Sequence, residues 1–235
     1  MIKRIPAAIR YHADHGWLKT HLLFSFANYQ DEKNMHFGTL RVFNDDYIDA
    51  HNGFSEHEHD NMEIVTIVLE GELTHKDSLG NKGVIKAGEV QQMSAGSGIT
   101  HAEMNESDAP VHLYQIWLFP NKLSLPTLYG QKDFSNIEKN TLVAIASGED
   151  KAGALPMQTM ATIYKAELEA EATINYTLKE NRGLFIYVSD GILKINDEVL
   201  NTGDQARIKD EKSVSIVTVG KAKLIIIDVP LIDGE

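Results

Sequence analysis

The stretch that decides the fold is His57-Glu58-His59-Asp60-Asn61-Met62-Glu63-Ile64-Val65-Thr66-Ile67-Val68-Leu69. Its second part, residues 62–69, is rich in β-branched side chains, which favour a pleated, buried strand over a helix. Its first part carries two histidines at i and i+2. Successive side chains on a strand point to opposite faces, so His57 and His59 share one face and Glu58 points the other way. Gly71 closes the run.

Working outward, the same rhythm continues on both sides. Residues 36–43 read as a strand, and Asn44-Asp45-Asp46 and His51-Asn52-Gly53 read as turns. Asp77-Ser78-Leu79-Gly80-Asn81-Lys82-Gly83 reads as a hairpin loop between strands at 72–76 and 84–86. A strand at 90–93 is followed by the glycine-rich turn Ala95-Gly96-Ser97-Gly98, which leads directly into His101-Ala102-Glu103. Residues 111–119 are a further strand, ended by Pro120. Residues 120–155 are punctuated by Pro and Gly, with one apolar run at 142–146, and read as a linker with an edge element. A short helical turn is expected at 133–139. Strand signals then return at 159–168, 173–178, 183–188, 192–195, 204–208, 214–219 and 224–229, a spacing typical of a sandwich or barrel. The fold class is all-β with few short helices.

His57-x-His59 and His101-x-Glu103 each present two ligand-type side chains on one face of a strand. If the two strands face one another, three imidazoles and one carboxylate converge. That set suits one divalent first-row metal and leaves open coordination positions, as catalytic sites do. Fe(II), Mn, Co, Ni, Cu and Zn are all compatible with these donors. Glu63, four residues after His59, could face the same cavity and support it by hydrogen bonds; a plain structural role is the alternative. His75 in a hairpin arm, His112, and the N-terminal His12, His15 and His21 read as structural or surface residues. Phe43, Phe54, Met62 and Met93 are candidates for an apolar pocket above the site; at strand spacing, ordinary core is the more frequent role. Gly96-Ser97-Gly98 has no following helix pattern and no nearby Lys, so a phosphate cradle is not indicated.

Composition narrows the classes further. The 235 residues contain no cysteine, which excludes disulfides, thiolate metal sites and iron–sulfur clusters. All ten histidines lie between His12 and His112, so metal chemistry belongs to the first half. The formal net charge of -12, without a basic cluster, disfavours direct nucleic-acid binding. No apolar run approaches the roughly 20 residues that span a bilayer, and the N-terminus carries no signal-peptide pattern, so a soluble, cytoplasmic protein is expected.

Several ordered motifs together resemble the pirin family of the cupin superfamily: Phe37-Gly38-x-Leu40-Arg41-Val42, Gly53-Phe54-x-x-His57-x-His59-x-x-Met62-Glu63-Ile64-x-Thr66, Gly71-x-x-x-His75-x-Asp77-Ser78-x-Gly80 and Ala95-Gly96-Ser97-Gly98-x-x-His101-x-Glu103. Family members often have Pro where this chain has Glu58. Within the family the chain is similar to bacterial members described as quercetin 2,3-dioxygenases. The resemblance implies a bicupin of two tandem antiparallel β-barrels (double-stranded β-helices): a metal-binding cupin over residues 1–125, a linker and edge segment over 126–155, and a C-terminal cupin over 156–235 that lacks metal ligands. It assigns the ligand role to His57, His59, His101 and Glu103, the set that strand parity selects, and favours Fe(II) as the metal. It implies a metal-dependent dioxygenase that opens the heterocyclic ring of a flavonol such as quercetin with O2, with Glu103 as candidate base. The alternative is an iron-binding regulator acting through protein partners without turnover. Two tandem barrels bury each other's faces, so a monomer is expected.

Overall fold

A computed structural model describes residues 1–232 of the chain. Strands dominate. Among the described residues the helical elements are two single 3-10 turns, Ala7–Ile9 and Glu32–Asn34. The strands of the first half are β1 (Ile2–Ile5), β2 (Tyr11–Asp14), β3 (Leu18–Leu22), β4 (Leu40–Ile48), β5 (Gly53–His59), β6 (Glu63–Glu70), β7 (Glu72–Asp77), β8 (Lys82–Lys86), β9 (Glu89–Ser94), β10 (Ile99–Met104), β11 (Val111–Leu118) and β12 (Leu128–Asp133). Those of the second half are β13 (Val143–Ser147), β14 (Leu155–Pro156), β15 (Thr162–Leu168), β16 (Thr173–Thr177), β17 (Arg182–Asp190), β18 (Ile192–Ile195), β19 (Glu198–Asn201), β20 (Gln205–Ile208), β21 (Ser213–Thr218) and β22 (Ala222–Pro230).

They form four sheets. A seven-stranded sheet, β12-β9-β6-β11-β4-β3-β2, faces the four-stranded β5-β10-β7-β8. A second pair repeats the plan: β1-β20-β17-β22-β15-β13-β14 and β16-β21-β18-β19. Side-chain parity explains the packing. On β6, Val65 and Ile67 point one way and Ile64, Thr66 and Val68 the other. Val65 and Ile67 join a core shared by the two large sheets, with Phe43, Ile116, Phe185, Ile225 and Ile227. Val68 packs with Leu73, Ile85 and Leu113 between the large and small sheets of the first half. In the second half Leu184, Ile186 and Val188 meet Leu193, Ile195 and Ile216. Central strands are thus buried on both faces, which is why they read as largely apolar runs. Removing one such side chain, for example Phe43→Ala, costs about 3–5 kcal/mol.

Several expectations are corrected. Asn44-Asp45-Asp46 is not a turn but the middle of β4, and all three residues are buried. Their polarity has a local cause: Asn44 and Asp46 face the cavity described below, and Asp45 faces the other half of the chain. There Asp45 accepts hydrogen bonds from the Tyr187 hydroxyl (2.7 Å) and pairs with His112 Nε2 (2.7 Å) and Arg10 Nη1 (3.4 Å). The helical turn expected at 133–139 is absent; Asp133 ends β12 and no helix follows. Within 126–155, read as a linker and edge segment, β12 extends the first large sheet beside β9, and β13 and β14 belong to the second. At the N-terminus β1 pairs with β20 in the second large sheet, Ile2 opposite Ile208 and Ile5 opposite Gln205.

Candidate metal centre

The small sheet of the first half builds the site. Strand β10 lies between β5 and β7, with His57 directly opposite His101 and His59 opposite Ile99. Cross-strand partners share a face, so the three imidazoles line up on the inner side. A bulge between His101 and Glu103 shifts the register, placing Glu103 opposite Phe54 on β5 and His75 on β7. A glycine is required at 53, because a Cβ there would collide with the carbonyl oxygen of Glu103. Gly96, with φ of 50°, occupies the left-handed region in the turn that delivers β10.

His57, His59 and His101 offer ligand nitrogens within 4.8 Å of one another. The ring centroids are 4.4 Å apart for His57 and His101, 4.8 Å for His57 and His59, and 5.0 Å for His59 and His101. His57 Nδ1 lies 2.7 Å from the Ser55 carbonyl oxygen, to which it donates, so Nε2 keeps its lone pair free. Both ring nitrogens of His101 are buried with no partner among the described residues. Burial above all, and then the neighbouring imidazoles, pushes His101 down to about 3; the same causes push His59 down to about 4. Neutral imidazoles with unused lone pairs are what a metal ion needs, and orphaned buried nitrogens are otherwise rare. The donor set therefore fits a divalent transition metal.

Glu103 is fully buried at the base of the same cavity. It accepts from Thr66 Oγ1 (3.2 Å) and Gln91 Nε2 (3.4 Å) on Oε1, and from Gln115 Nε2 (2.7 Å) on Oε2. Burial raises its carboxyl above the usual range, against the lowering effect of His75 and these donors. Its ligand atoms fall into a second trio with His101 and His75, again within 4.8 Å of one another. His75, expected to be structural, is thus adjacent to the site. Its Nε2 meets Asp77 at 3.1 Å, and its ring stacks on Tyr129. Both His75 and Asp77 are fully enclosed.

Glu63 does not face the cavity. The left-handed residue Asn61 separates β5 from β6 and resets the parity, so Glu63 points to the seam between the halves with Val65 and Ile67. Its Oε2 accepts from Ser94 Oγ (2.7 Å), Gln92 Nε2 (3.3 Å) and the backbone N–H of Gln158 (2.9 Å). Of the four pocket candidates, Phe54 lines the cavity; Phe43 and Met93 are core residues, and Met62 packs beside Met93. The cavity measures about 260 Å³, slightly under the roughly 300–1,000 Å³ usual for small-molecule sites. Beside Phe54 its aromatic walls are Phe26 and Trp117, which meet edge to face at 5.2 Å. Asn44, Asp46 and Gln115 complete the polar lining. Sequence reading missed all of these except Phe54. Alternation along 111–119, which sets Gln115 and Trp117 on one face, was the signal that pointed to two of them. His12 and His21 pack together at 4.9 Å, away from the cavity, and His15 is exposed.

Comparisons with known proteins place the chain in a family. The Pirin family matches residues 5–118, and the quercetinase C-terminal cupin domain matches residues 144–229. The chain is 43% identical over 230 residues to the pirin-like protein of Caulobacter vibrioides, covering 97% of this chain and 99% of that one. It is 41% identical over 232 residues to the quercetin 2,3-dioxygenase of Escherichia coli K12, covering 98% and 99%. The crystal structure of the bacterial pirin YhhW of Escherichia coli in complex with nickel(II) superposes with a TM-score of 0.94 at 38% identity, covering 99% of this chain and 100% of that one. Among the described residues no helix is long and apolar enough to cross a membrane. With its histidine-lined small sheet and its matches along nearly the whole length, this chain belongs to the pirin family.

Proposed function

We propose that His57, His59, His101 and Glu103 hold one divalent transition metal, with Fe(II) favoured, and that the protein is a dioxygenase cleaving the heterocyclic ring of a flavonol with O2. The observation that carries the reading is the convergence of three imidazoles in a cavity walled by Phe26, Phe54 and Trp117. We also infer that each large and small sheet closes into a cupin-type barrel, supported by the shared cores between them.

Such a metal, when bound, supplies a Lewis acid that favours the anionic form of a coordinated hydroxyl and prepares it for reaction with O2. The chain's own residues do the rest. Flat aromatic walls orient a flavonol by stacking and exclude water. Thr66, Gln91 and Gln115 fix the Glu103 carboxylate, so the ligand sphere is held in place before the substrate arrives. Trp117 Nε1 is buried without a partner among the described residues and is available to donate to a substrate oxygen. His57 and His59 are partly exposed, which leaves an entrance on their side.

The test is oxygen consumption with quercetin by metal-loaded protein, beside the His57→Ala/His101→Ala double variant. Metal-dependent uptake that is lost in the variant supports the reading. Bound metal without turnover on any flavonol would instead favour a regulator that works through protein partners.

A further inference from the structure

We propose that Asp46 is a catalytic residue, the acceptor for the proton released by a hydroxyl-bearing aromatic ligand in the imidazole-lined cavity. The proposal rests on the flavonol reading above and names a residue that the metal ligands do not include. The first reason is that Glu103 is not free. Three donors occupy three of the roughly four lone pairs on its oxygens, and the metal it is proposed to bind takes the remaining one. The second reason is geometric. Asp46 reaches the same cavity from β4 in the opposite sheet. It is 3% exposed, and its Oδ1 is buried with no partner among the described residues.

A buried acceptor without a partner is costly and uncommon, and its presence in a cavity marks a place where a ligand supplies the missing donor. Asn44 beside it also has an unpartnered Oδ1, but an amide oxygen does not take up a proton near neutral pH. In the metal-free protein burial raises the Asp46 carboxyl, partly offset by Thr20 and reinforced by the charges of Asp45 and Glu103. In the step itself the ligand O–H bond breaks and the proton passes to Asp46 Oδ1. The electron pair stays on the ligand oxygen. No oxidant or reductant is needed. Trp117, whose Nε1–H has no partner among the described residues, lines the same space.

The test uses metal-loaded protein and quercetin under anaerobic conditions. Ionisation of the bound flavonol is read from its absorption, which moves to longer wavelength, and binding is read from tryptophan fluorescence quenching. The parent should bind and ionise the flavonol. Asp46→Asn should bind it within about threefold of the parent, keep its metal, and leave the flavonol in its neutral spectrum. Its kcat in air should fall by about 10²-fold or more with KM little changed. Ionisation in Asp46→Asn equal to the parent's would overturn the proposal. Asp46→Ser, which also lacks the carboxyl, decides in the same way where Asp46→Asn fails to fold. A parent that binds no flavonol would instead refute the flavonol reading, and the role of Asp46 with it.

Discussion

Glu63 offers a sharp test of how the halves are joined. Its Oε2 receives Ser94 Oγ, Gln92 Nε2 and the Gln158 N–H, the last from the other half of the chain. Glu63→Leu removes the acceptor and keeps an apolar volume. Gln92 retains its bond to Ser94 Oγ at 2.8 Å, so two donors are orphaned: the Ser94 hydroxyl and the Gln158 N–H. An unsatisfied buried donor costs about 1–3 kcal/mol, which gives roughly 2–6 kcal/mol for the pair. Burial pushes the Glu63 carboxyl above its usual range, so replacing it also relieves some desolvation. A net loss of about 3 kcal/mol is expected. For a chain of this length that lowers Tm by roughly 6–12 °C. Glu63→Gln keeps one acceptor oxygen and should lose only about 1 kcal/mol. Urea unfolding followed by circular dichroism measures the stabilities, and metal analysis accompanies it. Both variants should keep the parent's metal content, because Glu63 faces away from the histidines. A Glu63→Leu protein within 0.5 kcal/mol of the parent would refute the seam, and loss of metal at unchanged stability would return Glu63 to the site.

Other consequences are equally concrete. In the metal-free protein, His59 and His101 should stay neutral from pH 8 down to pH 5, because burial and neighbouring imidazoles hold them near 4 and 3; imidazole NMR titration checks this, and a midpoint near 6.5 for either would contradict it. The Asp46 carboxyl is raised in the fold to about 7 from an unfolded value of 3.8, so the stability its proton contributes is complete below about pH 4 and is lost as pH rises through 7. At about 1.4 kcal/mol per pH unit the loss is on the order of 4 kcal/mol, and the metal-free parent should lose that much relative to Asp46→Asn between pH 4 and 7.5 in urea unfolding. Parallel profiles would refute it. Gly53→Ala should lower metal affinity at least tenfold, since the new Cβ pushes β5 off the Glu103 carbonyl; unchanged affinity by competition titration would show that the contact relaxes freely.

The sequence carried the strands and the histidines for different reasons. Runs such as 62–69 and 224–229 were legible because central strands buried on both faces are mostly apolar. His57-x-His59 and His101-x-Glu103 were legible because strand parity alone puts each pair on one face. Asn44-Asp45-Asp46 misled because polar residues inside a strand look like a turn. Their polarity serves the cavity and the seam, both of which are tertiary features. Glu63 misled because parity counted from His59 is valid only while the strand continues, and Asn61 breaks it. The pairing of β1 with β20 joins residues about 200 apart, and no local pattern encodes it. Gln115 is apparent as a site residue only once Glu103 is seen beside it.

The central claim is that His57, His59, His101 and Glu103 bind one transition metal. The most direct measurement is metal titration of the chelator-treated protein with Ni(II) and with Fe(II) under anaerobic conditions, comparing the parent with His101→Ala and counting bound ions by elemental analysis. The account predicts about one ion per chain in the parent and at least a hundredfold weaker binding in the variant. No stoichiometric ion in the parent, or equal affinity in His101→Ala, would contradict it.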